Sequence, residues 1–394
     1  MKVLYVDISL IHLNPTATYL PFLVEELSDH LDLYGPGYTP ATTLHKGLLH
    51  WIEQKGPYDF VFLGSNVPIF SRSSEDFQLS LQYIQRFTFC TSPASEIIPF
   101  FRDVVSSLPH LKGQKSVLSC LNYDYYAATQ SHVDKVHSLD LYLLGANDQF
   151  ISKIEDLGPE LESESHYQRK KLRINNCWHQ FVSSNPDRVI TALHFVLPHE
   201  FCFKLFCYRE NSIGIPGVNY KLRKDAIRVL NSSPLTVDTK WHFYIYKYLH
   251  KLGIPVFSTE RGIGLYQYFF RRSLAKSKYT FTARGGFGFP VRKFFEIPAS
   301  GSLLLASECT GYADLGFNNL RDYISVSPKE LAEVIHSLPS PADCTEMALS
   351  AQHNALRNHS LAARALQINM CLRSISEGRY SGARWINGNF ALTP

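Results

Sequence analysis

The chain has 394 residues, of which 45% are hydrophobic and 19% charged, with 22 Tyr and 26 Phe. This excludes a disordered, collagen-like or acidic-tail protein and leaves room for two α/β domains of ~150–200 residues each. A formal charge of +4 is too small to demand nucleic acid, while it admits a nucleotide, a phosphorylated substrate or an anionic lipid surface.

In chain order, residues 2–8 read as a strand, 19–30 as a helix, 31–34 as a short strand and 45–54 as a second helix. Asp59-Phe60-Val61-Phe62-Leu63-Gly64 is a near-continuous apolar run, as expected of a strand covered on both faces of a parallel sheet. A helix at 97–108 and strands at 115–121 and 139–144 continue the alternation, which predicts a doubly wound α/β domain. The composition then shifts from Glu155, Asp156, Glu160, Glu162 and Glu164 to the basic run Arg169-Lys170-Lys171-Leu172-Arg173, and a domain boundary is expected there.

Beyond it, strands are predicted at 189–197, 203–208, 255–258, 279–283 and 302–306. Helices are predicted at 220–230, 239–252, 266–277, 290–297 and 328–336. The last has a marked start, with Ser327 as cap, Pro328 in the first helical position and Glu330 completing a capping box. The expected division is an N-terminal Rossmann-like domain over 1–170, a C-terminal one over 171–365, and a helical tail over 366–394 that packs back on the first.

Apolar runs fall short of the ~20 residues of a membrane-spanning helix, and the N-terminus reads as a strand rather than a signal peptide. A cytoplasmic protein, with peripheral contact to the inner face of a membrane allowed, is the expectation. The eight cysteines form no Cys-x2-Cys pair and no zinc spacing with histidine, so reduced thiols and no metal site are expected.

The stretch from Ala283 to Gly301 is the most informative. Gly285, Gly286 and Gly288 follow a strand and free the backbone for close approach to a ligand, and a helix opening at Pro290 would offer unpaired amides to phosphate. Arg292 and Glu296 stand one turn apart with Lys293 beside them. They form either an exposed salt bridge of little value or a pair that gives the cation to phosphate and the carboxylate to ribose hydroxyls. If Glu296 is exposed, Glu296→Ala leaves the fold intact.

The run from Lys293 to Leu305 resembles the "Arg-x-Phe-Glu-x-x-Ala-x-Gly" helix and following strand of group 1-type GT-B glycosyltransferases, with the flavour of their spore-maturation-protein-like branch. Gly311 to Phe317 resembles that branch's acidic loop. Ser327 to Leu331 resembles its "Ser-Asp-Pro-Glu-Glu-Leu" element, Arg357 to Arg364 its "His-Thr-x-x-x-Arg" helix, and Ile215 to Arg223 its "Gly-x-x-Tyr-x-x-Arg" loop. The N-terminal half matches in organisation alone.

The resemblance implies a two-domain GT-B enzyme that passes a sugar from a nucleotide-sugar donor, held by the second domain, to a glycan or lipid-linked acceptor held by the first. Glu296 would then hold the ribose and Lys293 the diphosphate, with Arg292 as neighbour. Gly285 and Gly286 would face the phosphates, and Asp314 would match the acidic loop position; apart from the resemblance, the lack of a metal-binding motif leaves leaving-group stabilisation to Lys293, Arg292, Arg284 or Arg223, and the helix start at Pro290. No cofactor is implied, since the nucleotide-sugar is a substrate.

Retaining members of the wider superfamily carry Glu-x7-Glu, and the partner position here is Gly288. Inversion is therefore favoured, and it requires a general base from the first domain. Asp7, His12 and Asp124 are the candidates, with Asp124 above His12 because Asn122 and flanking tyrosines supply polar, sugar-stacking neighbours. The absence of an Asp-x-Asp motif points to a metal-independent reaction. The alternatives are a nucleotide-sugar epimerase-like enzyme and an inactive GT-B-like protein that binds a nucleotide-sugar or glycan.

Overall fold

The computed structural model describes residues 1–12, 20–67, 88–89, 92–111, 115–120, 128–144, 176–191, 194–217, 221–230, 235–238, 241–254, 259–284 and 290–394. The first part runs β1 (Lys2–Val6), β2 (Ile11–His12), α1 (Leu20–Leu27), β3 (His30–Tyr34), α2 (Ala41–Leu44), α3 (Leu48–Lys55), β4 (Phe60–Leu63), β5 (Thr88–Phe89), α4 (Ala94–Ser107), β6 (Lys115–Cys120), α5 (Gln130–Val136), β7 (Leu141–Leu144), α6 (Cys177–Ser184) and β8 (Val189–Thr191). Six of these strands form a parallel sheet in the order β3-β1-β4-β6-β7-β8.

Both faces of this sheet are covered, which is why its strands read as unbroken apolar runs. Leu4, Val6, Val61 and Leu63 pack with Phe100, Phe101 and Val104 of α4. Val3, Tyr5, Phe60 and Phe62 pack on the other side with Leu20, Leu23, Val24 and Leu27 of α1.

The second part runs β9 (Glu210–Gly214), α7 (Lys221–Leu230), β10 (Thr236–Asp238), α8 (Trp241–Lys251), α9 (Glu260–Lys276), β11 (Ser277–Thr282), α10 (Lys293–Ala299), β12 (Leu303–Ala306), β13 (Tyr323–Ser325), α11 (Leu331–His336) and α12 (Pro341–His359). Its parallel sheet has the order β10-β9-β11-β12-β13. The chain then enters α13 (Leu361–Ser376) and a hairpin of β14 (Ala383–Ile386) and β15 (Asn389–Leu392). Leu361, Ala365, Ile368, Cys371 and Leu372 of α13 join α1 on the first sheet.

The two segments that cross between the sheets are bonded to each other. Val196 N–H donates to His359 O at 2.9 Å, and Leu361 N–H donates to Val196 O at 2.9 Å.

Several expected elements shift. The strand expected over 189–197 ends at Thr191 and belongs to the first sheet, beyond the boundary at 170; the basic run used to draw that boundary lies outside the described residues. Residues 203–208 form no strand: Phe203, Leu205 and Tyr208 point to solvent, and Phe206–Tyr208 is a 3-10 turn. The strand starts at Glu210, because the stretch ending in Ile213 and Gly214 is the one that pairs with both β10 and β11. The helix expected from Pro290 begins at Lys293, after a turn closed by Phe294 N–H to Val291 O at 2.8 Å. The capping bonds of Ser327 and Glu330 are present, at 3.2 and 3.4 Å, with the α-helix itself starting at Leu331.

Candidate functional site

In an open parallel sheet, ligands bind beyond the carboxyl ends of the strands, where successive strands leave to opposite sides. In the second sheet this point lies between β9 and β11, since β10 sits on the far side of β9. Gly217, just beyond β9, has φ of +90°. A Cβ there would stand 2.5 Å from Lys293 Cε and 2.8 Å from an Arg223 Nη1, so the backbone touches two cations at once. Arg223 is buried and its Nη2 donates to Thr282 Oγ1, at the end of β11, at 2.9 Å. The Lys293 ammonium lies 5.4 Å from the centroid of the Phe270 ring of α9. Arg284, two residues past β11, reaches Glu308 O at 3.5 Å. The result is a crevice of positive charge lined by close-approaching backbone, suited to a diphosphate.

Beneath it lies a buried ionic cluster. Residues Phe294 to Ala299 of α10 are all buried. Arg292, immediately before the helix, ion-pairs with Glu296 and donates from Nη2 to Glu200 Oε2 at 2.5 Å. The same Glu200 oxygen accepts the Leu197 N–H at 2.8 Å. The Arg292, Glu296 and Glu200 side chains are 7%, 5% and 8% exposed, so the exposed salt bridge anticipated from the i, i+4 spacing is wrong. The helix is inserted between sheet and α12 rather than laid on the surface, and its polar turn is closed by the crossover segment. Among the described residues, Glu296 Oε2 is buried and has no hydrogen-bond partner.

His194, in the crossover, meets the Phe295 ring edge-on at 6.1 Å. Burial, then the charges of Arg292, Arg364 and Lys293, hold its pKa down to about 3, so the imidazole is neutral.

Residues 239–369 match the family model described as glycosyl transferase-like. Among solved structures, Anabaena HepE in complex with UDP is similar over 95% of this chain and 100% of its own, with 12% identity and a TM-score of 0.51. A glycosyltransferase from Rickettsia africae covers 95% of this chain and 98% of its own, at 13% identity and a TM-score of 0.47. A search of the curated proteins finds no match. The chain thus has a GT-B fold, with its glycosyl transferase-like match confined to residues 239–369.

In this GT-B frame the first sheet has its own crevice, between β1 and β4, with β3 on the far side of β1. Asp7 stands there, 1% exposed. It accepts from Ile8 N–H at 2.8 Å and from the Asn66 amide at 3.0 and 3.1 Å. Gly64 admits it, since a Cβ at that position would lie 2.0 Å from Asp7 Oδ2. Burial raises the Asp7 pKa to about 6, against the hydrogen bonds that lower it. The side chain of His12, together with Asp124, Gly285 and Gly286, lies outside the described residues. His12 itself is on β2, paired with Thr88 of β5.

Lys293 and Arg223 thus meet beside Gly217 at the β9/β11 crevice, with Glu296 and Arg292 on and just before the same short helix as Lys293. Asp314 is engaged through its carbonyl, which accepts Gly388 N–H of the C-terminal hairpin at 2.7 Å. Sequence reasoning missed Glu200, Thr282 and His194, while Gly217 entered only as the glycine of the Gly-x-x-Tyr-x-x-Arg resemblance. For Glu200 a local signal existed: Pro198 followed by an acid two residues on is a helix-start pattern. Among the described residues, no helix is long and apolar enough to cross a membrane.

Proposed function

We propose that the protein transfers a sugar from a nucleotide-activated donor to a glycan or lipid-linked acceptor, and that it belongs to the spore-maturation-protein-like branch. The observation that carries this is the convergence of Gly217, Arg223 and Lys293 at the β9/β11 crevice, with a buried Glu296 below. HepE, solved with UDP on the same fold, supports a nucleotide-sugar donor.

Lys293, Arg223 and Arg284 face the diphosphate, Gly285 and Gly286 approach it by backbone, and Glu296 accepts from the ribose hydroxyls. Arg292 acts one step back, orienting Glu296. Asp314 borders the donor. The reaction inverts: the acceptor oxygen attacks the anomeric carbon, the bond to the diphosphate oxygen breaks, and the acceptor's proton passes to a base in the first domain. The base is drawn from Asp124, His12 and Asp7. The cations carry the developing charge on the leaving diphosphate, so metal and cofactor are not required.

The test is a thermal-shift panel of nucleoside mono- and diphosphates, followed by donor hydrolysis. A nucleoside diphosphate raises the melting temperature, and the matching nucleotide-sugar is slowly hydrolysed. A shift without any release of nucleotide would make the protein a binder, and no shift with any nucleotide sinks the donor site.

A further inference from the structure

Helices α8 and α9 lie side by side, joined by Tyr246 and Tyr266 at 5.5 Å between ring centroids. Their outer face is apolar. Tyr248 and Leu252 are 63% and 59% exposed, and Leu265 and Tyr268 are 50% each. On α9 the exposed stripe reads Arg261, Leu265, Tyr268, Arg272, spaced so that all four share one helical face with an arginine at either end.

The charge of the whole chain is concentrated here. Residues 241–276 hold six Lys and Arg against a single acid, Glu260, a net +5, whereas the other 358 residues hold 33 basic and 34 acidic side chains. A cation-rimmed face of tyrosine and leucine is the composition that seats at a bilayer interface: the aromatic and aliphatic groups enter the headgroup boundary while the guanidinium groups meet lipid phosphate. A second copy of this chain is a poor occupant, because a two-fold interface would set +5 against +5. The helix that carries this face is itself next to the cleft: α9 runs beside β2 of the first domain, and Phe270, on the side of the helix opposite the stripe, touches Lys293.

We infer that the outer face of α8 and α9 docks on an anionic lipid bilayer and holds the cleft mouth at the membrane surface. This goes beyond the donor reading and stands apart from it, since docking is measured without nucleotide.

The experiment is co-sedimentation of the full chain with vesicles of phosphatidylcholine alone or mixed with phosphatidylglycerol. Binding to the mixed vesicles, falling with added salt, is expected, with none to the neutral ones. The double variants R261E/R272E and L265S/Y268S should each weaken it by about ten-fold or more, with melting temperature and nucleotide shift as in the parent. No pelleting with phosphatidylglycerol, or equal pelleting of parent and variants, overturns the inference. So does a dimer in solution that the same substitutions dissociate, which would make the face a protein interface.

Discussion

The guanidinium of Arg292 lies between two buried carboxylates, and that changes what its neighbour does. A buried ion pair is close to neutral against a well-packed apolar equivalent, yet removing one partner leaves charge stranded, at a cost of ~3–5 kcal/mol. Glu296→Ala is therefore expected to lower stability as well as nucleotide affinity, contrary to the harmless loss anticipated for an exposed carboxylate. Arg292→Met should cost a similar ~3–5 kcal/mol by denaturant titration, and adding Glu200→Gln should recover part of it; strictly additive losses would mean the groups are not coupled. Asp7 makes a different prediction. Its pKa of about 6 in the folded chain lies above its ordinary 3.8, so between about pH 4 and pH 6 the native state holds more proton than the unfolded one. Its contribution to stability is present below about pH 4 and is lost as pH rises through 6. The difference in urea-derived stability between the parent and Asp7→Asn should carry that slope across this range, because the buried histidines, common to both, cancel in the comparison.

Short elements, not long ones, shape the crevice. Helix α10 spans seven residues and is too short to persist without its packing; Tyr312, whose hydroxyl donates to Phe294 O at 2.7 Å, and the Gln352 amide, which donates to Ala299 O at 2.9 Å, hold it. Arg209 seals two helix ends together: it donates to Ala275 O at 3.0 Å at the end of α9 and to Ser300 O at 2.5 Å just past α10. Arg209→Met should orphan these carbonyls and cost on the order of 2–4 kcal/mol, read by thermal or denaturant unfolding. The turn after β9 is tighter still. Gly217→Ala sets a methyl where Lys293 and Arg223 now lie and strains a φ of +90°. Nucleotide affinity should drop by about ten-fold or more as the cations are pushed aside, and an unchanged titration curve would remove Gly217 from the site.

The two domains meet where residues 194–200 cross the start of α13. Here His359 is fully buried, stacked between Phe317 and Trp385 with centroids at 5.3 and 5.0 Å. It pairs with Leu315 O at 2.8 Å and with Arg364 Nη2 at 3.2 Å. Burial, with Arg364 beside it, drives its pKa down to about 3, as for His194. Both histidines therefore resist protonation that the unfolded chain accepts near pH 6.5, and the stability they allow at neutral pH is lost as pH falls below that value. Acid should thus loosen the crossover, and His194→Asn with His359→Asn should flatten the acid limb of the stability profile.

The alternation of strands and helices was legible in the chain because periodicity and unbroken apolar runs are local properties, and Phe60 to Leu63 carries its own evidence of burial on two faces. Lys293, Arg223 and Glu296 were singled out on short runs that resemble a family's motifs, and the structure brings Lys293 and Arg223 together beside Gly217. Burial was not: an i, i+4 ion pair reads the same on a surface and inside a core. Nor were contacts such as Arg292 with Glu200, 92 residues apart, or Arg223 with Thr282, 59 apart, because no local pattern encodes which distant segment will close over a helix. By itself, then, the sequence determined the doubly wound architecture and which short runs bear charge. The tertiary structure alone decided which charges are buried together and which meet at the strand ends, since pairing and desolvation arise between segments that meet only in the folded chain.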